Sequence, residues 1–125
     1  MAVAKKNKRK IHYKGQLFYW WVVDEFDGFG GMLSINIVSD DKKFLIKYFV
    51  IQKDTQNRYI IVIGEYFPHV ERKTGNWVRF ICPDFTAENK TTAITPKNIE
   101  AILSWCFLES KVLIPVNYKG EIIDD

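Results

Sequence analysis

The sequence predicts an α+β fold: a mainly antiparallel, strongly curved β-sheet, half-barrel or sandwich-like, with one C-terminal α-helix packed on it. Segments that alternate with a period of two recur along the chain and are joined by short polar connections, which favours antiparallel pairing. Residues 94–109 alone show helical periodicity. The 125 residues are the length of a single domain.

The N-terminal residues are polar and basic, and we expect a disordered tail over residues 1–10 ahead of one domain over residues 11–125. The formal charge of the chain is +3. Removing the tail's five cations from the 18 Lys and Arg leaves 13, against 15 Asp and Glu. The basic character is therefore assigned to the tail, through Lys5, Lys6, Lys8, Arg9 and Lys10.

The first predicted hairpin joins residues 11–13 to residues 16–23 through a Lys14-Gly15 turn, with Gly15 supplying a positive φ. In the segment QLFYWWVV both alternating sets of side chains are apolar, so we expect this strand to be central and covered on both faces.

Residues 24–31, DEFDGFGG, are interpreted as a hairpin loop, because their spacing fits neither a calcium loop nor a phosphate-binding loop. A mobile lid with Phe29 as its contact is the functional alternative. Residues 32–39 then read as a half-buried strand, with the isoleucines inward and Ser34 and Asn36 outward.

Further two-sided strands are predicted over residues 43–51 and 59–63, and residues 65–67 are expected to continue the second of them. Gly64 marks a bulge or a close backbone approach within it. Residues 77–82 form the next strand, on which Trp77 and Arg79 share a face.

The predicted helix begins with Thr95 as its cap and Pro96 in its first turn. Its apolar face repeats at helical spacing and consists of Ile99, Ile102, Leu103, Cys106 and Phe107. After it, residues 112–114 can pair only at a sheet edge, because Pro115 excludes a central position. Residues 118–121 repeat the turn chemistry of residues 13–16.

Composition excludes several classes of protein. The two cysteines, Cys82 and Cys106, are too few for a disulfide framework. A single disulfide bond between them is kept as an alternative. No Cys/His spacing predicts a metal site, and no cofactor is expected. The basic start lacks an apolar segment behind it, and no apolar run approaches about 18 residues. We therefore expect a cytoplasmic protein without a membrane span.

The sequence contains no recognisable catalytic motif. His12 and His69 are each interpreted as surface histidines, and no Gly-x-Ser-x-Gly nucleophile elbow occurs. The sequence thus leans away from an enzyme, and a small enzyme without a recognisable motif is kept as an alternative.

The aromatic residues make up 15% of the chain, more than one helix can cover. We expect some of them to line a ligand site or an interface. The predicted ligand-binding residues are Trp21, Asp27, Phe29, Tyr66, His69, Trp77 and Arg79. The predicted interface residues are Trp20 and Trp105, in a homodimer that covers the second sheet face.

Three segments, KIHYKGQLFYWWVV, GNWVRFICPDF and ITPKNIEAILSW, together resemble small bacterial proteins encoded on mobile integron gene cassettes. The resemblance covers about two thirds of the chain and its motifs are structural. It implies a bacterial cytoplasmic protein with an accessory role, often oligomeric, and it carries no activity over to named residues.

The leading hypothesis is therefore a non-catalytic domain that binds a small, aromatic or anionic ligand, or a protein, and that self-associates. The alternative is an accessory binder of single-stranded nucleic acid, which uses the basic tail and the aromatic strands.

Overall fold

The computed structural model describes residues 8–25, 32–52, 55–70, 74, 77–86 and 94–123. Within these residues one helix and seven strands form, in the order β1 (Arg9–Tyr13), β2 (Gln16–Glu25), β3 (Met32–Ser39), β4 (Leu45–Phe49), β5 (Tyr59–Val62), β6 (Val78–Ile81), α1 (Pro96–Cys106) and β7 (Pro115–Val116).

The seven strands form one sheet in the order of the chain, β1 to β7, and every neighbouring pair is antiparallel. The predicted α+β class with an antiparallel sheet is confirmed. The sheet is not closed into a barrel, because β1 and β7 form its two edges. As predicted, Pro115 lies at an edge, although the strand is formed by Pro115–Val116 rather than by residues 112–114.

The first hairpin has the predicted two-residue turn, in which both Lys14 (φ 49°) and Gly15 (φ 77°) adopt positive φ. The strand before it starts earlier than expected, because β1 begins at Arg9 and not at residue 11. Arg9 and Lys10 therefore belong to the sheet and not to a tail. An edge strand tolerates such charges because one of its sides faces solvent.

The helix packs on one face of the sheet, which we call the helix-side face. Its inward residues Ile99, Ile102, Leu103 and Cys106 are fully buried, in agreement with the prediction. They join a core that includes Phe18, Trp20, Ile35, Ile37, Ile46, Tyr48, Ile60, Val62 and Phe80 from β2 to β6. The strands supply these residues at every second position, as the period of two predicts.

The helix is shorter than predicted, and each of its ends is held by a specific side chain. At the start, Asn98 Oδ1 accepts the Thr95 N–H at 2.9 Å, and Asn98 Nδ2 donates to the Phe85 carbonyl at 3.2 Å. At the end, the Lys111 ammonium donates to the carbonyl oxygens of Cys106 and Leu108. A cation at this position also interacts favourably with the helix dipole.

Two predictions about the middle strands are wrong and one is confirmed. Ser34 and Asn36 lie on the face opposite the isoleucines, as predicted, but they are buried rather than exposed, because large side chains flank them on neighbouring strands. Residues 65–67 do not continue β5, which ends at Val62. Gly64 is a close backbone approach as expected, since a Cβ there would overlap the Lys43 carbonyl and the Leu45 amide nitrogen.

Candidate functional site

We call the face of the sheet opposite the helix the second face. One row of side chains on this face crosses six strands. The strand registers align Trp21, Asn36, Lys47, Ile61, Arg79 and Val116 in this order from β2 to β7. At about 4.8 Å per strand, roughly 19 Å separates the β2 and β6 members of the row. Two cations thus alternate with apolar and amide side chains along one line.

Both cations of this row, Lys47 and Arg79, lie against aromatic rings. Lys47 Nζ is 5.7 Å from the ring centroid of Phe49 and 5.8 Å from that of Trp77. The Arg79 guanidinium carbon lies 5.7 Å from the Tyr59 ring centroid. These distances fit cation–π contacts, which are strengthened where solvent is excluded.

The cationic surface extends to the edge strand. Lys8 Nζ lies 4.4 Å from the centroid of the Trp21 ring, and Lys10 is the register partner of Tyr19 on the same face. One carboxylate lies at the border of this surface, where Asp40 Oδ1 accepts a hydrogen bond of 3.5 Å from the Tyr19 hydroxyl. The aromatic strands and part of the basic N-terminal segment therefore form one continuous surface.

Trp77 is the most exposed aromatic side chain of this surface. Its side chain is 47% exposed, and its backbone has φ +58° immediately before β6. A bulky residue rarely adopts this left-handed conformation, which costs about 1–3 kcal/mol and is found preferentially at functional sites. The exposed ring of Trp77 is therefore carried by a strained backbone.

Beneath the exposed rings the second face is densely packed. Ile61 and Val116 are 3% and 2% exposed. Asn36 Nδ2 donates to Ser34 Oγ at 3.2 Å, so these two buried polar groups partner each other. The Arg79 Nε–H is also buried, and it has no acceptor within the described residues. Close packing of this layer restricts the positions of the aromatic rings and cations that lie above it.

The structure places three of the predicted ligand residues on the second face: Trp77 and Arg79 lie at one end of the row, and Trp21 lies on β2, roughly 19 Å away. It does not place the others with them. His69 Nε2 lies 3.1 Å from the Phe107 carbonyl at the end of the helix, where the nitrogen acts as the donor. Tyr66 is exposed in the segment after β5. Asp27 and Phe29, with most of the 24–31 loop, lie outside the described residues, as do Lys5 and Lys6 of the basic segment.

The two predicted interface residues are both part of the packed structure. Trp20 is 3% exposed and belongs to the core, so almost none of its surface is left for a partner. Trp105 is half-buried, and its ring centroid lies 5.9 Å from that of Phe85 and 6.4 Å from that of Phe67. Both tryptophans therefore stabilise the helix-side face.

Sequence reasoning missed Lys47, the cation nearest the middle of the row. A lone lysine at the centre of the apolar segment FLIKYFV was its signal, since a charged residue there must reach solvent on one face. Phe49 and Tyr59 were missed for a different reason. Their sequence positions do not distinguish them from core residues of a two-sided strand.

A cluster of polar side chains, separate from the second face, lies at the ends of β4 and β6. The Tyr48 hydroxyl accepts a hydrogen bond of 2.8 Å from Arg58 Nη1, and Arg58 Nη2 is 3.6 Å from Asp84 Oδ2. Asp84 Oδ1 in turn accepts from the Thr86 N–H at 3.0 Å. The polar groups of the cluster bind one another, so it serves to hold residues 82–86 against the sheet.

The cysteines and the tyrosine near this cluster are poor nucleophiles at neutral pH. Both cysteines are buried and free, without a disulfide between them. Burial raises the pKa of the Cys82 thiol to about 12, with Arg58 partly opposing the shift. Burial also raises the pKa values of Cys106 and Tyr48. These groups remain protonated under physiological conditions.

No family model, curated protein or solved structure matches this chain. Within the ranges described above, no group of three or more His, Cys, Asp and Glu side chains could hold a metal ion. The same residues include no helix long and apolar enough to cross a membrane.

Proposed function

We propose that this protein is a non-catalytic binding domain whose ligand is an anionic molecule with a flat ring, held on the second face of the sheet. The observation that carries the proposal is the position of Lys47, whose ammonium contacts the rings of Phe49 and Trp77 at once. A ligand ring stacked on Trp77 has this cation beside it, where an attached phosphate or carboxylate would be neutralised.

Two properties of the surface support a ligand rather than simple packing. Trp77 leaves 47% of its side chain exposed in a strained backbone conformation. Arg79 keeps a buried N–H without an acceptor among the described residues. An exposed ring on a strained backbone costs free energy in the unbound protein. A ligand ring that stacks on Trp77 covers this apolar surface and offsets part of the cost.

The homodimer predicted from the sequence stays a prediction, but its original reason no longer holds. That reason was an apolar second face, whereas the observed face carries Lys8, Lys47 and Arg79 among its rings. Two copies meeting through this face would bring like charges together. Strong curvature of the sheet also stays a prediction, supported by the burial of Ser34 and Ile61 on the second face.

Thermal unfolding with three small probes tests the proposed function. Adenosine monophosphate contains a ring and an anion, adenosine only the ring, and ribose 5-phosphate only the anion. At a hundred times its dissociation constant, a bound ligand adds about 2.7 kcal/mol and raises the melting temperature by several degrees. We expect a shift with the monophosphate that exceeds both partial probes.

A matched pair of variants locates the site. Lys47→Gln removes the central cation of the second face, whereas Lys97→Gln removes an exposed charge from the helix on the other side of the sheet. The shift should fall with the first variant and persist with the second. Equal shifts in both variants would place binding elsewhere and overturn the proposal.

A further inference from the structure

We propose that the natural occupant of the second face is single-stranded nucleic acid that runs across the strands from β1 towards β6. This inference rests on the proposed function and specifies its ligand class. Three features of the face carry it: its charge, its aromatic rings and the direction of its cationic row.

The charge of the surface complements a polyanion rather than a single anion. Four cations lie on it, Lys8, Lys10, Lys47 and Arg79, distributed from the edge strand to β6. A small anion carries its charge at one place, whereas these cations are spread over several strands. A phosphodiester chain presents a charge at every nucleotide and can meet all of them.

The rings of the surface are suited to unpaired bases. Trp21 and Trp77 lie on β2 and next to β6, and each has a cation within 6 Å of its ring centroid. Stacking of bases on such rings is the usual mode of binding to single strands and needs no base-specific hydrogen bond. In a duplex the faces of the bases are covered by their neighbours, so these rings would find no partner.

The dimensions of the row fit several nucleotides. From β1 to β6 the sheet spans five strand spacings, roughly 24 Å. Single-strand binders of the OB-fold type accommodate about 4–16 nucleotides per domain.

Fluorescence anisotropy on the full chain tests the inference. The probe is a labelled oligothymidylate of about 12 nucleotides, and its duplex with oligoadenylate is the comparison. We expect the single strand to bind more tightly than the duplex. For four phosphate contacts the logarithm of the binding constant should fall with the logarithm of the salt concentration with a slope of about −2.8.

Three variants separate the contributions. Lys47→Gln should flatten the salt slope by about 0.7, and Lys97→Gln should leave it unchanged. Trp77→Asn removes the exposed ring while keeping a residue that tolerates positive φ. It should weaken binding of the single strand about 5-fold to 150-fold, the range expected for one stacked base.

The outcomes distinguish this inference from the proposed function. If adenosine monophosphate binds with the expected dependence on Lys47 but the oligonucleotide binds no more tightly, the proposed function holds and the nucleic-acid inference is wrong. Equal affinity for the duplex, or equal losses in Lys47→Gln and Lys97→Gln, contradicts stacking on this face. If neither adenosine monophosphate nor the oligonucleotide binds, both proposals are wrong.

Discussion

The side-chain amide of Gln52 pairs with the backbone of Tyr59 in both directions. Gln52 Oε1 accepts the Tyr59 N–H at 3.0 Å, and Gln52 Nε2 donates to the Tyr59 carbonyl at 2.8 Å. The same Nε2 also donates to the Phe49 carbonyl at 3.0 Å. The amide thus takes the place of a strand residue where β4 and β5 part, and it positions two aromatic residues of the second face.

Replacing Gln52 with Glu should destabilise the protein. A carboxylate cannot donate, so the carbonyl oxygens of Phe49 and Tyr59 lose their side-chain partner and face a negative charge instead. We expect a loss of about 1–3 kcal/mol in the free energy of unfolding measured in urea. Gln56→Ala, at an exposed position in the same connection, is the control and should change stability by less than about 0.5 kcal/mol. Equal effects of the two variants would contradict the pairing.

Two glycines of similar φ, Gly15 (+77°) and Gly120 (+75°), should respond differently to substitution by alanine. A Cβ on Gly15 meets nothing within 4 Å, so its cost is that of the left-handed conformation alone, about 1–2 kcal/mol. A Cβ on Gly120 would also overlap the backbone of Asn57. Gly120→Ala should therefore destabilise by at least about 1 kcal/mol more. Urea unfolding of both variants measures the difference, and equal losses would refute the close approach.

Substitution of Trp77 by Asn should separate binding from stability. Asn tolerates positive φ better than a bulky ring does, so relief of backbone strain offsets the lost ring contacts. We expect the free energy of unfolding to change by less than about 1 kcal/mol while the affinity for the monophosphate probe falls. A loss of several kcal/mol would show that the ring is a packing residue and that its exposure serves no ligand.

Asp41 should contribute to the loss of stability in acid. Its Oδ1 accepts from the Ser39 hydroxyl and, at 3.0 Å, from the Lys43 N–H, and these bonds lower its pKa below the ordinary value of 3.8. The stabilisation is present above that value and is lost as the pH falls through the lowered folded-state pKa. Asp41→Asn should therefore make unfolding less dependent on pH below about pH 4. Parallel stability curves for the variant and the parent protein would contradict this.

Local chemistry allowed much of the fold to be predicted from the sequence. The Lys14-Gly15 turn, the capping residue Thr95 and the edge position of Pro115 each follow from the properties of one or two residues. The close approach at Gly64 was predicted for the same reason. The ends of the strands were predicted less accurately, since the start of β1 depends on pairing with β2 and not on the charge of Arg9.

The second face could be predicted only in part. That Trp77 and Arg79 share a face follows from their spacing, but the neighbouring position of Lys47 depends on two strand registers. Burial of Ser34 likewise depends on its partner Phe49, which lies on another strand. Such relationships are set by tertiary pairing, and a polar side chain in an alternating segment carries no information about them.

The sequential order of the strands has a consequence for how the protein acquires its structure. From β2 to β6 every strand pairs with the strand that precedes it in the chain, so each pairing closes a local connection, the longest of which covers residues 63–77. The sheet can therefore grow one hairpin at a time as the polypeptide leaves the ribosome. The pairing of β7 with β6 spans the helix and must wait for it. We expect pulse-labelling hydrogen exchange during refolding to show the amides of β2 and β3 protected before that of Val116.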